Sequence, residues 1–544
     1  MRRWSQVSTG WLLTAIVVTL GSGKASAADP QKVATQVDAL LAREHFGGTA
    51  KASDRPAPRA ADETFLRRVS LDLIGELPSP ADAATFMLDH GASKRAAAVD
   101  RLLANEKFGV NWARYWRDVV FYRRSDDKAL YAAPILEAYL TKQFNEGARW
   151  DEMARQFITA TGDAKADGNT AIIVAQMANP ADTASEISRI FLGIQIQCAQ
   201  CHNHPFDRWR REQFHELAAF FPRVGIVGKG KGAASVVSLT KAQNVKGMGR
   251  RELEHFMPDL KNPKAKGTLM QPVFFATGKK LDEGLADEER REKLAEWLTA
   301  REDGWFAKAF VNRVWSELVG RGFYEPVDDL GPDRKCSAPK TLDYLSKQFV
   351  ASDHDVKWLY RTIVATAAYQ RQSRSRPETS GAPMSATCPQ RLRADQLYNS
   401  LAAALEFGEE APSQAKKQDK NKNPGKNPAG RRDRINRTFG YDPSLRREDI
   451  AGSIPQALEM MNSTDLNRAI SARQANTMLS KLLAEVKDDE KAVGELYRRC
   501  LARAPKPAEL KVCLTYIGEC KDRNEAFEDI LWSLVNSSDF LYRE

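Results

Sequence analysis

At 544 residues the chain is too long for one ordinary core, so two or three domains are expected. Charged residues at 28% and hydrophobic ones at 42% describe a soluble globular protein, and no segment supplies the roughly 20 apolar residues of a spanning helix. The formal charge of +10 falls to +7 if Arg2, Arg3 and Lys24 are removed with an N-terminal leader; export then argues against nucleic acid as the partner, acidic polysaccharide or another anionic surface suits the charge better, and a solvated surface with no specific partner is the first reading.

The leader itself is written in the first residues. MRR gives a positive start, WLLTAIVVTLG a short apolar run, and Ala25-Ser26-Ala27 a small-residue cleavage signal. This predicts a secretory signal peptide at 1–27, a periplasmic or secreted mature protein, and no stable membrane span after cleavage. Beyond it, apolar residues recur at helical spacing. Phe65, Leu66, Val69 and Leu73 form one stripe, and Ser79 with Pro80 starts another helix. In NWARYWRDVVFYRR, Trp112, Tyr115, Trp116 and Val119 share a face that should be core.

Glycines, basic residues and β-branched runs then break the pattern, predicting an irregular, β-containing connector at 222–284. Helical patterning resumes from ERREKLAEWLTARE onward. The Lys-, Arg-, Asn- and Pro-rich stretch 409–437 has almost no apolar residue and is expected to be a disordered basic loop. A last helical pair turns at APKP. The expected fold is mostly α, with helical domains at 35–221 and 285–544 joined by the connector.

Residues 191–221, FLGIQIQCAQCHNHPFDRWRREQFHELAAFF, concentrate two of seven cysteines and three of seven histidines. Cys198-Ala199-Gln200-Cys201-His202 is a CxxCH string, the attachment pattern of haem c, and composition makes a chance match about one in a thousand. Two thiols three positions apart can each form a thioether to one porphyrin, and the adjacent His202 can then ligate its iron. Two other readings stay open. Cys198, Cys201, His202 and His204 could bind zinc or copper, or the thiols could be buried or disulfide-linked. Thr183 to Glu186 reads as a capping box opening a helix that ends at the cysteines, and Asp207 as the cap of the next, an arrangement suited to sandwiching a flat cofactor. His215, His255 and several methionines are available as distal ligands.

These residues also carry a resemblance. CAQCHNHPFDRW with LAAFF, and upstream FLRRVSLDLIGELPSPADAATF, resemble the planctomycete cytochrome-associated family with domain of unknown function 1549. RREKLAEWLTAREDGWFAKAFVNRVWSELVGRGFYEPVDDLG, ATAAYQRQS and PQRLRADQLYNSL resemble its partner, domain of unknown function 1553. The resemblance implies association with cytochromes, so a redox partner protein or cytochrome is expected, but it names no reaction. Relatives often have a histidine before the proline that here follows Ala338, so any site using that histidine is altered. Asn312, Arg313, Asp328, Asp329 and Arg371 fall on matching motifs and could line a polar pocket for acid–base chemistry or calcium, or form structural ion pairs. Cys500 and Cys513 flank the APKP turn and could form a disulfide. No Ser-His-Asp order, Walker loop or HExxH string anchors a common hydrolase chemistry. The leading expectation is an exported c-type cytochrome-like protein. The alternative is a helical scaffold or carbohydrate-associated binding module whose Cys/His cluster is structural or holds a non-haem metal.

Overall fold

The structure, a computed structural model, describes residues 27–46, 55–124, 130–228, 235–245, 249–302, 304–375, 382, 384–407, 430–446, 450 and 452–544. The proposed leader lies outside these residues except for Ala27. The fold is mostly α, 58% helical with a few small sheets.

The first helix, Pro30–His45, opens with Asp29 accepting from the Gln31 N–H and with proline at its first position. Its buried residues Val33, Val37 and Leu41 pack against Pro339–Ala351 and Val356–Ala365, far along the chain. Asp62–Ile74 and Lys107–Phe121 pack together, and the latter lies along Ala133–Glu146. Gly109 permits that close approach, because a Cβ there would stand 2.6 Å from the Thr141 carbonyl oxygen.

Trp305–Val319 runs through the middle, with buried residues on every face. Phe310 on it stacks with Trp150 at 4.4 Å, Trp116 at 5.8 Å and Phe349 at 5.3 Å between ring centroids. The aromatic stripe read from the sequence is therefore core, as expected, and its partners come from both sides of the connector. One hydrophobic core runs from Val33 to Met384. A second joins Leu71 and Leu77 to the helices of 392–540.

The connector contributes Val224–Val227 and Ser235–Ser238 to a three-stranded antiparallel sheet completed by Gly162–Asp163 of the N-terminal domain, in the order Gly162–Asp163, Ser235–Ser238, Val224–Val227, followed by short hairpins such as Val273–Phe274 with Lys279–Lys280. At the far end Tyr542–Arg543 pairs with Gln390–Arg391. Arg543 there donates to Asp72 at 3.0 Å and to the Leu318 carbonyl at 2.9 Å, tying the last strand to both cores.

One expectation changes. Of the basic stretch 409–437, residues 409–429 lie outside the described residues, but its end forms a helix, Arg431–Phe439. Ile435 and Phe439 supply its buried face.

Candidate functional site

The helix before the cysteines starts earlier than the capping box predicts. Asn179 caps it, accepting from the Ala181 and Asp182 N–H groups at 2.9 and 3.3 Å, and Pro180 takes the first position. It runs to Ile187, widens into a π-turn at Ser188–Leu192 and stops at Gly193. Gly193 has φ +67°, and a Cβ there would meet Leu330 and Ala309 at 3.0 and 3.2 Å, so glycine is required on both counts. Cys198 sits on a separate 3₁₀ turn, Ile196–Gln200, and Cys201 is the residue that ends it, so the cysteines do not lie at the end of the preceding helix.

That turn sorts its residues by face. Ile196 and Ala199 are fully buried, and the Ile196 side chain alone contributes about 2 kcal/mol of anchoring. Cys198, Cys201 and His202 are exposed, and both thiols are free. His202 Nδ1 lies 2.7 Å from the Asn203 carbonyl oxygen. A carbonyl can only accept, so Nδ1 carries the proton and the exposed ring keeps its lone pair on Nε2. The Asn203 side chain accepts from Arg211 N–H at 3.0 Å, and Gln213 accepts from Arg210 N–H at 2.8 Å, so these residues cap Arg211–Ala218. Asp207 does not cap that helix; it accepts from its neighbour Arg208 N–H at 2.7 Å. Helices Pro180–Ile187 and Arg211–Ala218 pack directly on each other, so the cofactor slot expected between them is closed.

Beneath the turn are two histidines that sequence reading did not pair. His215 Nε2 lies 3.1 Å from the Gln200 carbonyl oxygen and its Nδ1 lies 2.9 Å from His255 Nε2. The carbonyl fixes the order: His255 donates to His215, and His215 donates to Gln200. Burial, reinforced by the neighbouring His215, pushes the His255 pKa down to about 4, and burial also lowers that of His215. Both His215 nitrogens are committed, so it is a prop of the turn and has no nitrogen left for a metal. His204, the alternative ligand, is buried and similarly engaged: Nδ1 accepts from Phe206 N–H at 3.2 Å and the ring bonds the Gln195 main chain.

On the other side of the turn lies a buried ion cluster. Arg189 pairs with Glu186 at 2.6 Å and with Asp328 at 3.1 Å, and donates to the Val119 carbonyl at 2.6 Å. Arg313 adds a contact to Asp328 at 3.4 Å, and Gln195 donates to the other Asp328 oxygen at 2.9 Å. Burial alone would neutralise Asp328, but Arg189 and Arg313 overcome it and hold its carboxyl below the usual range. A cavity of about 210 Å³ opens between this cluster and the turn, lined by Cys198, Gln197, Gln195, Glu186 and Arg189. Among the described residues, no group of three His, Cys, Asp or Glu side chains could hold a metal ion.

Residues 48–225 match the family PSCyt2, described as a protein of unknown function (DUF1549), and residues 290–517 match PSD1, a protein of unknown function (DUF1553). The chain belongs to the family that joins these two domains in this order. No curated protein and no solved structure matches it.

The ion cluster is therefore a joint between the two domains. Glu186 and Arg189 come from PSCyt2, Arg313 and Asp328 from PSD1, and the Leu330 N–H donates to the Gly193 carbonyl across the same seam at 2.8 Å. The five polar residues expected to share a pocket do not. Arg313 and Asp328 meet in the cluster. Asn312 is buried, tying the Tyr324 main chain to its helix at 2.9 and 3.2 Å. Asp329 pairs with Arg334 at 2.9 Å, near His204. Arg371 lies elsewhere, on the wall of a separate cavity. Ala338 is buried before a helix whose first N–H groups, at Lys340 and Thr341, are capped by Glu44 at 2.8 and 3.0 Å. Cys500 and Cys513 are buried free thiols on adjoining helices.

Proposed function

We propose that the chain is an exported c-type cytochrome-like protein that carries haem at Cys198, Cys201 and His202 and serves periplasmic electron transfer. One observation carries the reading: a CxxCH turn that buries Ala199 between its cysteines and holds two free thiols and an Nε2 lone pair outward. Cys198 and Cys201 would each add S–H across a vinyl group, forming a thioether without losing an atom. His202 would be the axial ligand, and its Nδ1–H bond to Asn203 orients the ring and raises its basicity. Haem bound there supplies a one-electron redox centre. The exposure of Cys198, Cys201 and His202 suits exchange with a redox partner protein or cytochrome. Export rests on the leader sequence. Among the described residues no helix is long and apolar enough to cross a membrane.

The test is a pyridine haemochrome spectrum of protein exported with cytochrome c maturation. A c-type band that disappears in Cys198→Ala/Cys201→Ala is expected. Folded protein without the band contradicts the reading, and zinc or copper in that colourless protein would favour a non-haem metal centre.

A further inference from the structure

A cavity of about 850 Å³ lies between the first helix, helix Lys94–Ala104 and helix Val356–Ala365. This volume falls in the usual range of small-molecule sites, about 300–1,000 Å³. Ala96, Val99, Val364 and Ala365 give it an apolar lining. Four arginines stand around that surface: Arg59 and Arg95 from the PSCyt2 domain, Arg361 and Arg371 from the PSD1 domain.

Two of the four are neutralised. Arg95 pairs with Asp62 at 2.7 Å, and Arg361 with Asp100 at 2.7 Å. The other two make no ion pair among the described residues. Arg59 donates through Nε and Nη2 to the neutral Gln370 amide oxygen, at 3.2 and 3.0 Å. Arg371 is 9% exposed; it donates to the Met384 carbonyl at 2.7 Å and lies over the Phe46 ring at 5.4 Å. The nearby carboxylate, Asp38, spends its oxygens on the Ala367 and Ala368 N–H groups at 2.7 and 3.2 Å and reaches Arg371 only through space.

The backbone brings these two cations together. Arg59 and Arg371 are opposite partners in an isolated antiparallel bridge. Opposed residues of such a pair project from the same face with Cβ atoms roughly 5 Å apart, where like charges repel. Burial lowers the Arg95 pKa and the Arg59 charge lowers it further, while Asp29, Asp38 and Asp100 line the same cavity. Arg59 and Arg371 thus both line a partly apolar cavity, their backbones paired and neither in an ion pair among the described residues, which gives the cavity the elements of an anion site.

We propose that this cleft binds a small organic oxyanion, a carboxylate or sulfate ester with an apolar body, whose charged end is held jointly by Arg59 and Arg371. The apolar lining takes the body, and the ligand bridges the two domains. The site is separate from the Cys198 turn and stands whether or not haem is carried there.

Calorimetric titration of the full chain at low salt tests it, with 2-naphthoate, 2-naphthyl sulfate and neutral 2-naphthamide as probes. At least one anion is expected to bind, about tenfold or more tighter than the amide, and preference between the two identifies the headgroup. Arg59→Gln should weaken the anion by about tenfold and leave the amide unchanged, because Arg59 is exposed and its loss opens no core. Arg371→Gln, checked for an unchanged melting profile, should do the same. Failure of both anions to bind, equal binding of the amide, or wild-type anion affinity in Arg59→Gln overturns the proposal.

Discussion

The chain places two pairs of cysteines in opposite surroundings. Cys198 and Cys201 stand exposed on a turn that is propped from behind by polar groups: the His255–His215–Gln200 relay on one side and the Arg189–Asp328 cluster on the other. Cys500 is fully buried in the second core, and Cys513 is 8% exposed beside it. Burial pushes the Cys500 thiol up to about 12 and raises that of Cys513 as well. A thiol held protonated in apolar surroundings is inert packing, whereas an exposed one is free to react. The difference teaches that the fold spends buried polar interactions on holding the first pair outward and treats the second as hydrophobic volume.

The sharpest way to break this contrast is at the prop. Arg189→Leu removes the cation and leaves the Glu186 and Asp328 carboxylates buried together, so urea unfolding should show a loss of about 3–5 kcal/mol. A loss below about 1 kcal/mol would mean that the cluster does not hold the domain joint. The pairs themselves can then be compared. Cys500→Ala should cost about 1–2 kcal/mol through the cavity it leaves, and Cys198→Ala less than about 0.5 kcal/mol in protein without haem. Equal costs would erase the distinction.

The relay adds a pH dependence of smaller size. The folded His255 pKa, about 4, lies below the ordinary value of 6.5, so the unfolded chain takes up the proton first. Stability is therefore full above about pH 6.5 and falls as the pH drops toward 4. His354, buried between Phe306 and Phe349 with a pKa also near 4, contributes a fall in the same direction. His255→Gln keeps a donor for His215 without the titrating ring, so acid unfolding followed by circular dichroism should begin at lower pH than in the unchanged protein. An identical acid limb would remove the relay from the account.

Much of this was legible before the structure. The CxxCH string, the core stripe of Trp112 to Val119 and the β-containing connector each rest on local spacing, which sequence displays directly. The start of the helix before the cysteines was misread because two valid signals compete there, and Asn179-Pro180 outranks Thr183 to Glu186 by combining a cap with a proline at the first position. The His215–His255 pair was hidden because His255 lies in the irregular connector, where no period relates the two residues. Arg371 was grouped with Asn312 and Asp328 by motif, yet its partner in space, Arg59, comes from the other domain. Both hidden features are long-range pairings, and a single sequence carries no local mark of them.

The most direct measurement is the mass of the tryptic peptide 190–208, which spans Cys198 to His202 between Arg189 and Arg208. Taken from protein exported with cytochrome c maturation, it should carry one haem through two thioethers and no thiol open to alkylation. A peptide of unmodified mass whose two cysteines both alkylate would contradict the central claim.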